Sequence, residues 1–255
     1  VAFERTLKKL NEVLDDFFVF YRPKDIVSGD LYWANAVTTT PEKGKGTKLA
    51  LVAALDCTGH GVPGAFMSIV GHTILEQTLT DPKVNNPGEA LDYLSQGVIR
   101  TLKQKAGDDF SIKDGMDIAL CGVDMQTRKL EFAGANNPLY LVRNGELMQF
   151  SGDKQPIGAY VTESRPFKSI AIQLEKDDCV YIFTDGIADQ FGGPKGKKFK
   201  YKQLQQLLID NSAHSMPEQH SAVNKAIDAW MSYPSEDGKR FEQTDDMLLI
   251  GFRVS

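Results

Sequence analysis

The chain has 255 residues, 42% hydrophobic and 25% charged, the composition of an ordinary globular protein long enough to bury one large core. Its formal net charge of −5 runs against a nucleic-acid-binding surface, which carries a basic excess. The three cysteines, Cys57, Cys121 and Cys179, lie in or beside apolar strand-like stretches without CxxC spacing, so they read as core thiols of a reducing compartment and not as zinc ligands.

No secretory signal is visible, and the longest apolar run, near Leu49 to Leu55, is too short to cross a bilayer. The chain starts at Val1 in a charged, amphipathic segment without an initiator methionine. The expectation is a cytoplasmic piece of a longer protein, whose parent has room for a membrane anchor elsewhere.

In chain order, Phe3, Leu7, Leu10 and Leu14 recur at helical spacing, so residues 1–16 read as a helix ending an upstream linker, ahead of one domain over 17–255. Phe17 to Tyr21 and Asp30 to Val37 read as strands, and the lysine- and glycine-rich residues 42–48 as a hairpin loop leading into a strong strand, Leu49 to Leu55. After Gly64 the pattern turns helical, with Phe66, Ile69, Val70, Ile74 and Leu75 expected as its apolar face. Pro87 fits the first turn of a second helix. Strands return from Met116, with a type I′ hairpin signal at Asn144-Gly145. Two further helical patterns, near 200–210 and 217–231, precede a last strand, MLLIGFRV. Strand runs and hairpins flanking helix pairs indicate an α+β layered fold with antiparallel sheet.

Four aspartates, Asp30, Asp56, Asp185 and Asp245, stand at the edges of apolar runs in SGDLYW, LALVAALDCTGHG, CVYIFTDG and QTDDMLLIGF. A carboxylate at the end of a buried strand is costly without a partner, and two unit charges about 4 Å apart repel by roughly 4 kcal/mol at an effective dielectric near 20. Asp before Gly also terminates strands as a plain turn residue, but four such positions together point to a shared cation site. Oxygen-only donors favour magnesium or manganese over zinc, and the histidines show no zinc-binding spacing. The glycines of DCTGHG let the backbone turn so that Asp56 and a neighbouring carbonyl, that of Cys57, aim at one ion.

The ordered set SGDLYW, DCTGHGVPGAFMS, KDGMDIAL, FAGANNPLYLVRNGEL, FTDG and QTDDMLLIGF resembles the SpoIIE/RsbU branch of the metal-dependent PPM (PP2C-like) protein phosphatases. The resemblance runs from about Tyr21 onward. It implies an αββα sandwich of two mainly antiparallel sheets flanked by helices, with two Mn2+ or Mg2+ ions in a cleft at one end. By the same resemblance Asp30, Asp56, the Cys57 carbonyl, Asp185 and Asp245 hold the ions, with Asp246 an alternative to Asp245. Asp117 and Asp114 lie where some members bind a third, weaker ion. Water activated by the ions attacks phosphorus in line, with no protein nucleophile. The implied substrate is a small phosphorylated regulator of the anti-anti-sigma (STAS-like) type. The implied context is an upstream sensor domain in the same polypeptide and a homodimer.

His60 is a general-acid candidate beside the site, or a residue closing the glycine turn. Lys197 and Lys198 belong to a run of lysines that reads as a solvated loop, or as a flap attracting the anionic face of a phosphoprotein. Other readings are a catalytically silent binding module of the same fold and a two-metal hydrolase of another phosphoester.

Overall fold

The computed structural model describes residues 2–39, 47–59, 61–81, 83–104, 114–158, 165–234 and 240–255. The amphipathic start forms α1 (Ala2–Val13), which buries Leu10, with Leu14 just beyond its end. There follow β1 (Phe17–Arg22), β2 (Leu31–Thr39) and β3 (Thr47–Cys57). The hairpin loop expected over 42–48 lies outside the described residues except for Thr47 and Lys48, which begin β3.

Helices α2 (Gly61–Thr78) and α3 (Pro87–Leu102) come next. Asn86 caps α3, its side chain accepting from the Glu89 amide, and Pro87 occupies the first turn where a missing N–H costs nothing. The chain then makes β4 (Met116–Asp124), β5 (Lys129–Ala135), β6 (Leu139–Arg143) and β7 (Glu146–Phe150). Asn144 and Gly145, between β6 and β7, both have positive φ, as a type I′ turn requires. Strands β8 (Ile170–Gln173) and β9 (Cys179–Phe183) lead to a short helix α4 (Gly186–Asp189) and a small hairpin, β10 (Phe191–Gly192) with β11 (Lys197–Lys198). Helices α5 (Lys200–Asn211) and α6 (Met216–Met231) precede β12 (Met247–Arg253).

Two five-stranded sheets result, ordered β1-β12-β9-β6-β7 and β2-β3-β4-β5-β8, with every strand pair antiparallel. Their inner faces meet in a core that includes Val52, Ala119, Phe132, Val180, Ile182, Leu248 and Ile250. The outer face of the second sheet packs on α2 and α3, and that of the first on α5 and α6. The architecture is the expected αββα sandwich. Cys57, Cys121 and Cys179 are free and buried.

The apolar face of α2 departs from expectation. Ile74 and Leu75 are buried, but Phe66 and Ile69 are 66% and 61% exposed, and the inward side is made by Gly64, Met67, Gly71, Ile74 and Leu75. The small residues set the rotation. A Cβ on Gly64 would stand 2.1 Å from the Gly59 carbonyl oxygen, and one on Gly71 3.1 Å from the Met116 sulfur. Only the glycine side allows this close approach, so the larger side chains turn outward.

Candidate metal centre

Strand register brings the acidic positions to one end of the sandwich. In the second sheet Leu31 pairs with Leu55, so Asp30, just before β2, lies beside Asp56 near the end of β3. Asp56 faces Asp117 directly across the β3–β4 ladder. In the first sheet Phe183 pairs with Leu249, which sets Asp185, after β9, beside Asp245 and Asp246, before β12.

The two sheets are tied at this end by Thr184. Its amide donates to the Leu248 carbonyl at 3.0 Å, its hydroxyl accepts from the Leu248 amide at 3.1 Å, and that hydroxyl donates to Asp30 Oδ2 at 2.6 Å. Asn136 Nδ2 donates to Asp117 Oδ1 at 2.8 Å. Asp56 and Asp185 lie close enough for each to act electrostatically on the other. Gly186 permits the turn: a Cβ there would stand 1.8 Å from the Asp246 carbonyl oxygen.

Burial and mutual repulsion dominate the electrostatics. Asp30 is 4% exposed, and its pKa is raised well above the ordinary carboxylate value by burial first, then by the charge of Asp56, against the Thr184 hydrogen bond. Asp56 is pushed up to about 8 by burial, then by Asp185, Asp245 and Asp117. Asp185 rises to about 6 by burial, then by Asp189 and Asp245. Asp117 is raised by burial.

Each expected residue except His60 has a definite place. Asp245 is exposed toward the cleft end of β12, and its Oδ1 accepts from the Asp246 amide at 2.8 Å. Asp246 is 3% exposed, and its oxygens accept from the backbone amides of Lys24 and Gly29, each at 2.8 Å. The Cys57 carbonyl lies in the loop against Gly29, whose Cβ would come within 3.2 Å of it. Asp114 precedes Gly115, which exchanges hydrogen bonds with Thr58 of that loop. Lys198 is held by Asp189 at 2.7 Å, and Lys197 is exposed. His60 lies outside the described residues. Sequence reasoning missed Thr184, Asn136 and Asp189 as neighbours of the carboxylates. A hydroxyl directly before the TDG aspartate was the available signal for Thr184.

Among the described residues no group of three or more acidic, histidine or cysteine side chains already stands as a formed metal centre. The carboxylates meet in pairs and are turned to Thr184, to backbone amides and to one another. The donor set nevertheless fits a hard divalent cation: it is all oxygen, graded from the buried Asp30 to the exposed Asp245, and self-repelling, and a cation is the partner that relieves such a cluster.

An αββα sandwich with acidic strand ends gathered at one pole defines the PP2C class of phosphatase domains. The family model for Stage II sporulation protein E (SpoIIE) matches residues 45–255, and the chain belongs to that family. It is a PP2C-type protein serine/threonine phosphatase domain, of a family that depends on metal ions. The SiaA-PP2C domain of Pseudomonas aeruginosa is 27% identical, with a TM-score of 0.79 over 97% of this chain and 90% of that one. The PP2C domain of SpoIIE from Bacillus subtilis, with a regulatory fragment, is 20% identical at a TM-score of 0.65, covering 94% of this chain and 63% of that one. The RsbU and RsbW domains of a Mycobacterium tuberculosis protein share the fold at 14% identity and a TM-score of 0.68, covering 93% and 59%. No curated protein sequence matches the chain. Among the described residues no helix is long and apolar enough to cross a membrane.

Proposed function

We propose that this phosphatase domain acts with two Mg2+ or Mn2+ ions held by Asp30, Asp56, Asp185 and Asp245. Asp56 is central to the set, and the Cys57 carbonyl completes one shell. The observation that carries the reading is that Asp56, half-buried and facing Asp117 across the β3–β4 ladder, is pressed by Asp185, Asp245 and Asp117, carboxylates from separate strand ends. Such a cluster is held in one fold at less cost with cations between its members. Bound there, the ions supply water of lowered pKa and neutralise charge on the phosphoryl oxygens.

The chain's own residues set the geometry. Thr184 fixes the Asp30 carboxylate and locks it to β12, while Asn136 fixes Asp117. Asp246, committed to the Gly29 and Lys24 amides, shapes the turn that carries Asp30 and leaves ligation to Asp245. Asp117 and Asp114 offer a weaker third position. In the hydrolysis the bond from phosphorus to the serine or threonine oxygen breaks as the bond to the water oxygen forms, and a proton passes to the departing side-chain oxygen.

The substrate in this reading is a small phosphorylated regulator of the anti-anti-sigma type. Membership of the SpoIIE family supports it, as does the likeness in fold to RsbU and RsbW domains. The exposed Lys197, beside Lys198, gives the cleft rim a positive side for an acidic partner. An upstream sensor module acting through α1, and pairing of two such chains, complete the proposal. A neighbour of the same fold at 13% identity, RsbX, binds magnesium, which is consistent with the ion class.

The test is turnover of p-nitrophenyl phosphate and of a phosphoserine peptide with manganese, beside Asp56→Ala and Asp185→Ala. Manganese-dependent activity in the wild type that is lost in both variants is expected. Equal signals from all three proteins, or activity unaffected by EDTA, would reject the metal site.

A further inference from the structure

A hollow of about 630 Å³ opens on the outer face of the second sheet, at the end opposite the carboxylates. β3 and β4 carry Asp56 and Asp117 at one end of their ladder, and Leu49, Leu51 and Gly122 at the other. The link from α2 to α3 borders the same space with Leu79 and Val84. The hollow comes from a shortage of side-chain volume. Gly122 stands in register between Leu51 and Glu131, and a Cβ there would meet only the tips of Leu51 and Leu49, at 3.1 and 3.3 Å. Buried Trp33 and Leu120 close the inner end, while Leu49, Leu51, Leu79 and Val84 are left half-buried along the walls. A volume of several hundred Å³, apolar walls and few polar groups are the marks of a small-ligand site.

The polar groups at the mouth define the charge of what would enter. Asp124 is satisfied: it accepts the Gln126 amide at 2.9 Å and the Thr127 hydroxyl at 2.7 Å, and Lys129 faces it across the β4–β5 ladder. Asn86 caps α3 and accepts from the Ser169 hydroxyl, and Asn85 is held by the Glu89 carboxylate. Glu131 is left over. It is exposed and pairs in register with Gly122 on one side and Ala171 on the other, neither of which can answer a charge. Among the described residues its carboxylate has no hydrogen-bond or ion-pair partner. Asp124 and Lys129 offset each other, so one uncompensated negative charge borders an apolar hollow.

We propose that this hollow binds a lipophilic cation, a small molecule whose apolar body sits on Leu49, Leu51 and Gly122 and whose ammonium head meets Glu131. The site stands apart from the carboxylate end of the sandwich, so its test needs no turnover and is decided whether or not the metal reading holds.

The experiment titrates the protein with octylammonium, octanol and octanoate, three heads on one chain, by calorimetry and by NMR of the methyl groups. Octylammonium should saturate a single site, with shifts confined to the methyls of Leu49, Leu51, Leu79 and Val84. It should bind about fivefold more tightly than octanol, the gain from a partly exposed ion pair, and octanoate should bind more weakly than octanol. Glu131→Gln changes an exposed side chain and should bring octylammonium and octanol to the same affinity. Gly122→Leu fills the hollow and should abolish saturable binding of all three, with a melt confirming that the variant folds. Should that variant not fold, the methyl shifts and the Glu131→Gln comparison decide alone. No saturable binding of octylammonium to the wild type, methyl shifts elsewhere, equal affinity for the three heads, or a preference for the cation that survives Glu131→Gln would each overturn the proposal.

Discussion

The carboxylate of Asp246 accepts the backbone amide of Gly29 across the gap between the last strand and the β1–β2 loop, and its second oxygen takes the amide of Lys24. Its neighbour Asp245 has no such duty to the backbone of that loop and is exposed. Asp246→Ala should therefore cost about 2–4 kcal/mol, from two amides left without an acceptor, which corresponds to roughly 5–15 °C in melting temperature. Asp245→Ala should stay within about 0.5 kcal/mol of wild type yet lose turnover by at least about a hundredfold. Thermal melts and p-nitrophenyl phosphate assays of both variants check the division. The reverse pattern would make Asp246 the ligand.

Removing a repelling charge should stabilise the metal-free fold. Asp56→Asn in EDTA at pH 8 should melt at a higher temperature than wild type, because Asp56 stands half-buried among carboxylates. With manganese the order should invert. Ions that bind only the folded form at about 100 times their dissociation constant add about 2.7 kcal/mol to the wild type and much less to the variant. Scanning calorimetry with and without manganese reads both signs. A wild type that never overtakes the variant would remove Asp56 from the ligand set.

The same groups set a pH dependence. Asp56, held up to about 8, and Asp185, held up to about 6, bind protons in the folded chain that the unfolded chain, with an ordinary value of 3.8, has already released. The folded state carries the extra protons, so metal-free stability should fall as pH rises from about 4 to 8. Melting temperatures in EDTA should decline between pH 5 and pH 8, and Asp56→Asn should flatten the upper part of that decline. A flat or rising wild-type profile would contradict the buried repulsion.

Relief of strain at Lys200 gives a separate expectation. Lys200→Gly should raise stability by about 0.5–1 kcal/mol, since glycine takes φ +70 without steric cost but loses more chain entropy on folding. A melting temperature higher by roughly 1–4 °C is the expected reading. A lower one would mean that the lysine side chain contributes more than its backbone costs.

The fold was legible from the sequence wherever one period ruled. Val52 to Leu55 and Leu248 to Ile250 read as buried strands because the chain offers them no polar face, and Asn144-Gly145 marks its hairpin through backbone chemistry alone. The aspartates were legible because a charge can leave such a strand only at its end. What stayed hidden depended on approach between distant segments. The rotation of α2 follows from Gly64 and Gly71 meeting Gly59 and Met116, contacts that the helical period does not encode, so the period points Phe66 and Ile69 inward while they lie outward. Asp245 and Asp246 differ only in which of them meets the Gly29 amide, a relation between residues more than 200 positions apart.

β12 lies between β1 and β9, so the final strand is the middle of a wall and not an appendage. A chain emerging from the ribosome can assemble the β2-to-β8 sheet and pack α2 and α3 on it while β1 and β9 remain unjoined. Until Leu248 arrives, Thr184 lacks both backbone partners that hold its hydroxyl on Asp30. A chain without β12 therefore has neither the middle of that wall nor the backbone groups that hold Thr184 on Asp30.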